Sequence, residues 1–417
     1  MQQKARGRIF YGWYIVAASF LIMAVSVGIV NNCAGVYVKP VCAELGFSRK
    51  GMAVNSTIFS ACGMIVALSA GRIYSRFDVT KVMRFSGITM SLGYFCFSFC
   101  RTLPMFYGAA FVTGFSEALL VSISLSMLLN NWFHKKRGTA IGIAFMGSGV
   151  GGMICNTAAG ILIQQTGWQN TYRVLAAAMF VIVVPCCFFI IRTRPADMGL
   201  LAYGEDEQPE SGVSAAPLHG EGMTLAEVQR TPKFWMLCFC SIFVSICTAG
   251  LMHNVAPHIS DVGYSPTFAA AIASACMGAL AIGKMLLGWL YDHLGPRRAT
   301  FLSCAASVIG LCGALIVPIK AGLGMMMLGT GLGGAFGSVA TPIIARTLYG
   351  DKEFGAVLGR MSAFGNGGAM FAPILVGSAY DSFGTYKPAF AGMLVAMIAV
   401  TLIYQRVFGM RRERSTV

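Results

Sequence analysis

Apolar windows of about 20 residues, the length that spans bilayer hydrocarbon, recur twelve times along the chain. They lie at roughly 13–38, 52–74, 83–100, 105–131, 139–164 and 172–191, and, after a polar break, at roughly 234–257, 266–291, 299–318, 322–346, 356–380 and 388–408. The pattern predicts an all-α membrane protein of twelve transmembrane helices in two bundles of six. The first window begins near Trp13 and runs to about Tyr37. That is too long for a signal-peptide core and has no small-residue cleavage site behind it, so a retained first span is expected. The break from Arg192 to Lys233 carries Glu205, Asp206, Glu207, Pro209, Glu210, Pro217 and Glu221 and has little to bury. It reads as a mobile cytoplasmic linker. The expected organisation is therefore a first bundle over 1–192, a linker over 193–232 and a second bundle over 233–417. Near the end of the linker Thr224 and Glu227 spell a capping box, T-x-x-E, which predicts a short surface helix up to Gln229 before Pro232 resets the chain.

The two halves repeat. A shift of 217 residues superposes Pro40 on Pro257, Gly71 on Gly288, Gly138 on Gly355, Gly142 on Gly359 and Gly167 on Gly384, among others. Of the 20 glycines from Gly7 to Gly167, nine land on glycine, where composition alone would give about two or three. With six spans in each half the copies share one orientation, as in a parallel repeat about an axis along the membrane normal. Lysine and arginine then set that orientation. Loops on the side of the termini hold 23 of the 31, against seven opposite (Lys39, Arg49, Lys50, Arg101, Arg173, Lys320 and Lys387). Both termini are thus expected in the cytoplasm, with the chain in the cell (inner) membrane.

Composition agrees with the pattern: 56% of the 417 residues are hydrophobic and only 11% charged, against roughly 25% charged in soluble proteins. A net charge of +15 would suggest nucleic acid in a soluble chain. Here the cations are sorted between loops, so the charge is a topology signal and no nucleic-acid partner is expected. The 14 cysteines are scattered through apolar segments without a C-x-x-C pair, and neither metal nor cofactor is expected. Cys33 and Cys42 flank an outer helix end where a disulfide is conceivable, though nothing in the sequence sets its geometry.

Candidate chemistry lies in the few charges inside the apolar windows. Lys284 sits in the middle of span eight, and the next carboxylate along the chain, Asp292, is eight residues on. A cation at that depth faces either a water-filled cavity or an ion-pair partner, and a substrate role is the reading we carry forward. Glu117, in span four, is the one acid so placed; it reads as a protonatable coupling site or as a neutral carboxyl bonded between helices. Lys39 closes span one near the outer surface, where a substrate contact and simple snorkelling are both open. Tyr37, Asn32, Asn254 and Asn366 are candidate substrate contacts. Asn31, Asn55, Asn156 and His253 are further polar groups able to line a cavity or to bond helices together. Two nucleotide look-alikes are set aside. Gly278 to Met285 nearly spells a phosphate loop but carries methionine where a hydroxyl is needed, and Gly147 to Gly152 fits G-x-G-x-x-G without a preceding strand.

Span eight runs into Gly288, Asp292, Gly295, Arg297 and Arg298, the pattern G-x-x-x-D-x-x-G-x-R-R. This resembles the loop motif of the major facilitator superfamily of secondary transporters. Asp292 is suited to accept from the first amides of a neighbouring helix, and the arginines stay on the positive side. The first-half copy keeps Gly71 and Arg76 but has Ser75 in place of the acid and Asp78 in place of a glycine. Further similarity lies in Phe10 to Trp13, Gly35 to Pro40, Asn131 to Gly138, Arg194 to Gly199 and Pro232 to Trp235. Together these resemble the monocarboxylate transporters and the oxalate:formate antiporter branch. The resemblance implies that Lys39 matches the lysine closing span one. It also implies that Lys284 stands where those transporters carry a substrate-binding arginine, with Leu280 where they carry its aspartate partner. Lysine is a point charge, not a planar fork, so a bidentate dicarboxylate site is disfavoured. The exchanger's lysine in span eleven is absent; that span offers Arg360 and Asn366.

The sequence thus predicts a secondary transporter, not an enzyme, that moves a small organic anion by alternating access. A monocarboxylate with a proton is the leading reading. Carboxylate exchange and a non-transporting, transporter-like sensor are the alternatives. The lipid bilayer is the expected partner and a monomer the expected state.

Overall fold

The computed structural model describes residues 10–205, 222–317 and 319–409, with the backbone alone for Arg49, Lys50, Ala53, Pro266 and Thr267. The centre of the expected linker, 206–221, and both charged tails lie outside the described residues. The described residues are mainly helical, and eight helical stretches among them are long and apolar enough to cross a membrane. Two of them double back. Arg137–Pro185 turns at Gly167 (φ 82°) to give spans five and six, and Pro266–Leu315 turns at Gly295 (φ 77°) to give spans eight and nine. A positive φ with an extended ψ is open to glycine and strained for other residues, so the motif glycine Gly295 is the hinge of this turn. Span one is Tyr11–Leu45, span two Arg49–Arg76, span three Val79–Cys96 and span four Leu103–Trp132. Span seven is Pro232–Asp261, span ten Lys320–Tyr349, span eleven Phe354–Phe383 and span twelve Lys387–Gly409. These legs match the twelve sequence windows one to one.

The repeat is visible in the packing between halves. A Cβ on Gly142 of span five would lie 2.6 Å from the Lys284 carbonyl of span eight, and one on Gly359 of span eleven would lie 2.4 Å from the Ala67 carbonyl of span two. A shift of 217 residues carries Gly142 onto Gly359 and Ala67 onto Lys284, so spans five and eight meet as spans eleven and two do. Between the halves the approach is tightest at Gly138 and Gly288, where an added Cβ on Gly288 would stand 2.1 Å from the Gly138 oxygen. Only glycine permits two helix backbones to run that close, which accounts for these members of the repeated set.

Both described ends of the linker are pinned at repeat-related places. The Tyr203 amide donates to the Trp132 carbonyl at the end of span four, and the Met223 amide to the Tyr349 carbonyl at the end of span ten, each 2.9 Å. Tyr203 also packs among Phe10, Trp13 and Phe133. The aromatic motifs opening span one and following span four are therefore one cluster on the face that carries the basic loops. The capping box forms as read: the Glu227 amide donates to Thr224 Oγ1 (3.3 Å), the Thr224 amide to Glu227 Oε2 (2.7 Å), and the helix is Leu225–Gln229. The Thr224 amide also holds the Glu227 carboxyl below its usual range. Cys33 and Cys42 are both free thiols; nine residues of one helical segment separate them, roughly 13 Å at the usual rise, and the Cys33 thiol donates to the Gly28 carbonyl.

Candidate functional site

A cavity of about 530 Å³ lies between the bundles, a volume suited to a small ligand. Its wall draws on both halves: Asn31, Asn32, Phe59, Ser60, Gly63, Glu117 and Val121 from the first, and Thr248, His253, Leu280, Thr330, Ser362 and Asn366 from the second. The helices are irregular where they reach it. Span one makes a π-helical turn at Gly28–Asn32, span four breaks at Val121 (φ −98°, ψ −84°), and span ten makes π-helical turns at Gly329–Gly333 and Phe336–Ala340. Broken backbone at membrane depth leaves amides and carbonyls without helical partners, which is tolerable only where a cavity or other protein satisfies them. Gly28–Asn32, Val121 and Gly329–Gly333 coincide with the cavity wall, whereas Phe336–Ala340 lies off it.

Glu117 is 7% exposed and lies on the wall; Asn31 Nδ2 donates to its Oε1 at 2.7 Å. Lys284 is equally buried at 7% but lies behind the wall, its Nζ donating to Ser148 Oγ of span five at 2.6 Å. Asn32, which is on the wall, donates from Nδ2 to the Ser148 carbonyl at 2.9 Å. The two intramembrane charges are thus not in contact. They sit at opposite ends of a run that passes from Glu117 through Asn31 and its neighbour Asn32 to Ser148 and Lys284.

The other sequence candidates divide. Asn366 is on the wall, its amide against Gly63 of span two. Tyr37 is buried at 1% exposure and stacks on Tyr172 with centroids 4.0 Å apart, so it packs inside the first bundle, away from the basic face, instead of facing the cavity. Asn254 donates back to the Gly250 carbonyl of its own helix. Lys39 is exposed at the end of span one remote from the basic face. Asn31 and His253 line the cavity, whereas Asn55 and Asn156 do not.

On the basic face Asp292 performs a defined task. Span five begins after Lys136, which has a left-handed backbone and no side-chain cap. Asp292 of span eight supplies that cap from the other bundle. Its Oδ1 accepts from the Gly138 amide (2.8 Å), and its Oδ2 accepts from the Thr139 amide (2.7 Å) and hydroxyl (2.6 Å). A carboxylate on the first amides of a helix gains from charge-assisted hydrogen bonds and from the helix dipole together. Gly288 allows the approach, Gly295 turns the chain, Arg297 bonds Gln405 of span twelve and Arg298 is exposed. The first-half copy lacks this bond. Ser75 donates to the Arg72 carbonyl of its own helix, and Gly71 merely packs on Ala356 at the start of span eleven. Arg76 lines a separate opening on the same face.

One contact there escaped the sequence reading. Arg346, counted above among the loop cations, is 4% exposed; it donates to the Asn130 carbonyl of span four (3.0 Å) and pairs with Asp351. It ties span ten to the opposite bundle. A cation at the last turn of a span looks the same in sequence whether it points to water or across an interface.

The model of the Major Facilitator Superfamily matches residues 19–341 and 237–416, and the chain belongs to that family, one of transporters and not of enzymes. Monocarboxylate transporter 12 of Xenopus laevis is 24% identical over 409 residues, covering 94% of this chain and 88% of that protein. Human monocarboxylate transporter 11 is 24% identical over 91% of this chain and 79% of its own. In fold the chain is similar to the E. coli fucose:proton symporter FucP (TM-score 0.67, 14% identity, 95% of this chain and 98% of that one). It is likewise similar to FucP solved in the outward conformation (TM-score 0.69, 14% identity, 95% and 98%). The expected all-α architecture of two six-helix bundles in a membrane is borne out.

The Asp292 geometry carries a prediction. Asparagine keeps one acceptor but turns an NH2 toward a donor and removes the charge. Asp292→Asn should shift the equilibrium away from the state closed on the basic face by about 1–2 kcal/mol, roughly five- to thirtyfold. In a background with the native cysteines replaced, labelling from the basic side of a single cysteine placed at Ser362 on the cavity wall should rise accordingly. Unchanged labelling means that the carboxylate is not a latch.

Proposed function

We propose that the chain is a proton-coupled transporter of a small monocarboxylate, working by alternating access in the cell membrane with its basic face toward the cytoplasm. The observation that carries this reading is the separation of the two intramembrane charges. Lys284 has a neutral hydroxyl as its partner and Glu117 a neutral amide, so neither cancels the other at the cavity. An uncancelled cation beside the wall has a use for an anion, and an uncancelled carboxyl on it has a use for a proton. The names of the relatives, monocarboxylate transporters, support the same substrate class. With the basic face latched by Asp292 and Arg346, the arrangement is read as the state closed to the cytoplasm. The two bundles, joined through the linker, would rock against each other around the cavity, and a single copy of the chain suffices for this.

The test is uptake into proteoliposomes of the purified protein. Acetate, lactate and pyruvate are presented with and without an inward-directed proton gradient. One unit of pH should support roughly tenfold accumulation of the transported anion, the free-energy equivalent of one proton. Uptake that ignores the gradient but requires an internal carboxylate indicates exchange. A protein that binds a carboxylate, seen as ligand-dependent thermal stabilisation, yet moves none indicates a sensor.

A further inference from the structure

We infer that Ser148 is the resting partner of Lys284, a positioning residue that competes with the transported carboxylate for the ammonium and so sets its affinity. The inference rests on the reading of Lys284 as the anion's cation. Three observations carry it. Lys284 Nζ, although as buried as Glu117, is not part of the cavity wall, and among the described residues its one hydrogen-bond partner is Ser148 Oγ. Ser148 is 2% exposed and spends its own proton on the Phe145 carbonyl (2.9 Å), so its lone pairs are what it offers the lysine. The wall begins next to this pair, because Asn32 donates to the Ser148 carbonyl. Its amide sits where a side chain on Gly152 would stand, 2.4 Å from an added Cβ.

From these positions the ammonium cannot hold Ser148 and reach the cavity at once. It must swing out past Asn32, giving up the hydroxyl for the carboxylate. A hydroxyl suits that exchange. It satisfies a buried ammonium that would otherwise be left without any acceptor, and it does so without neutralising the charge. A carboxylate in the same place would hold the lysine far more tightly than an incoming monocarboxylate could. The partner also sits on the opposite bundle, so the resting bond adds to the contact between spans five and eight, and anion binding releases it. The bond thereby links occupancy of the cavity to the movement of those two spans.

The test compares Ser148→Ala, Ser148→Thr and Ser148→Asp. Removing the competitor should tighten monocarboxylate binding by roughly five- to tenfold in Ser148→Ala. Ser148→Thr, which keeps the hydroxyl, should stay near the parent, and Ser148→Asp should weaken binding by at least roughly thirtyfold. A purely structural role would weaken Ala and Asp alike, so opposite signs are the signature. Weaker or unchanged binding in Ser148→Ala overturns the inference. A second measurement needs no cognate substrate. Isocyanic acid, in equilibrium with added cyanate, adds across an N–H of a neutral amine with no leaving group, and should carbamylate Lys284, once released from its hydroxyl partner, several-fold faster in Ser148→Ala than in the parent, read by peptide mass spectrometry. Equal rates overturn the inference as well. Failure of the functional reading looks different: the parent then binds none of the carboxylates, or Lys284→Gln binds them as well as the parent does.

Discussion

Lys284→Gln is expected to abolish carboxylate binding while leaving the protein folded. The glutamine side chain fits the lysine's volume, though its amide is one bond shorter than the ammonium, so the backbone packing of spans five and eight is kept and the charge is lost. Losing one member of a desolvated charge pair typically costs about 2–5 kcal/mol, roughly thirty- to several-thousandfold in Kd. Stability should not fall in step, because a buried cation is itself costly in a membrane and its removal relieves that cost. The expected result is thus a thermal transition at or above that of the parent, with no shift on adding ligand. Lys284→Arg should retain part of the binding, since the charge remains but the planar guanidinium must fit a pocket built for a point charge. If Lys284→Gln transports normally, the anion site lies elsewhere on the wall, and Asn32, Asn366 and His253 are the groups left to test.

Glu117→Gln should separate binding from coupling. Glutamine has nearly the same shape and still accepts from Asn31 Nδ2 at the position of Oε1, so it imitates the protonated carboxyl permanently. Binding and one-for-one exchange should persist with little dependence on pH. Accumulation driven by a one-unit pH gradient should drop from roughly tenfold to about onefold, because the proton is no longer carried. The sign follows from the charge. Ionised Glu117 puts a negative charge on the cavity wall and opposes an entering anion, whereas protonation removes it and makes the loaded carrier easier to reorient. Two other titratable groups share in the argument. His253 faces the same cavity from span seven, and Lys39 lies exposed at the end of span one remote from the basic face. If Lys39→Gln or His253→Gln removes the pH dependence and Glu117→Gln keeps full accumulation, proton coupling belongs to those groups and not to Glu117.

Much of the architecture was legible because apolar period and glycine placement are direct records of bilayer thickness and of helix contact. Twelve windows became twelve helical legs, and a shift of 217 residues found in the sequence became the contact of Gly142 with Lys284 and of Gly359 with Ala67. The hydrogen bonds of Asp292 to the first amides of span five were also readable, since an acid beside a glycine-rich turn is well placed to cap a neighbouring helix. Arg346 was not readable, and neither was Tyr37. A cation at a span end and a tyrosine within a span have the same local sequence whether they face solvent, a cavity or another helix, and only the rotation of each helix about its axis separates these cases.

By itself, then, the sequence determined the number of spans, their division into two like-oriented halves, and the rarity of charge within them, because each of these is a local or periodic property of the chain. What the tertiary structure decided is which groups meet across the halves. It placed Glu117 on the wall and Lys284 behind it, gave the lysine a serine from span five, and broke spans one, four and ten where they reach the cavity. Those facts depend on helix rotation and on contacts between residues more than a hundred positions apart, and no window along the chain contains them.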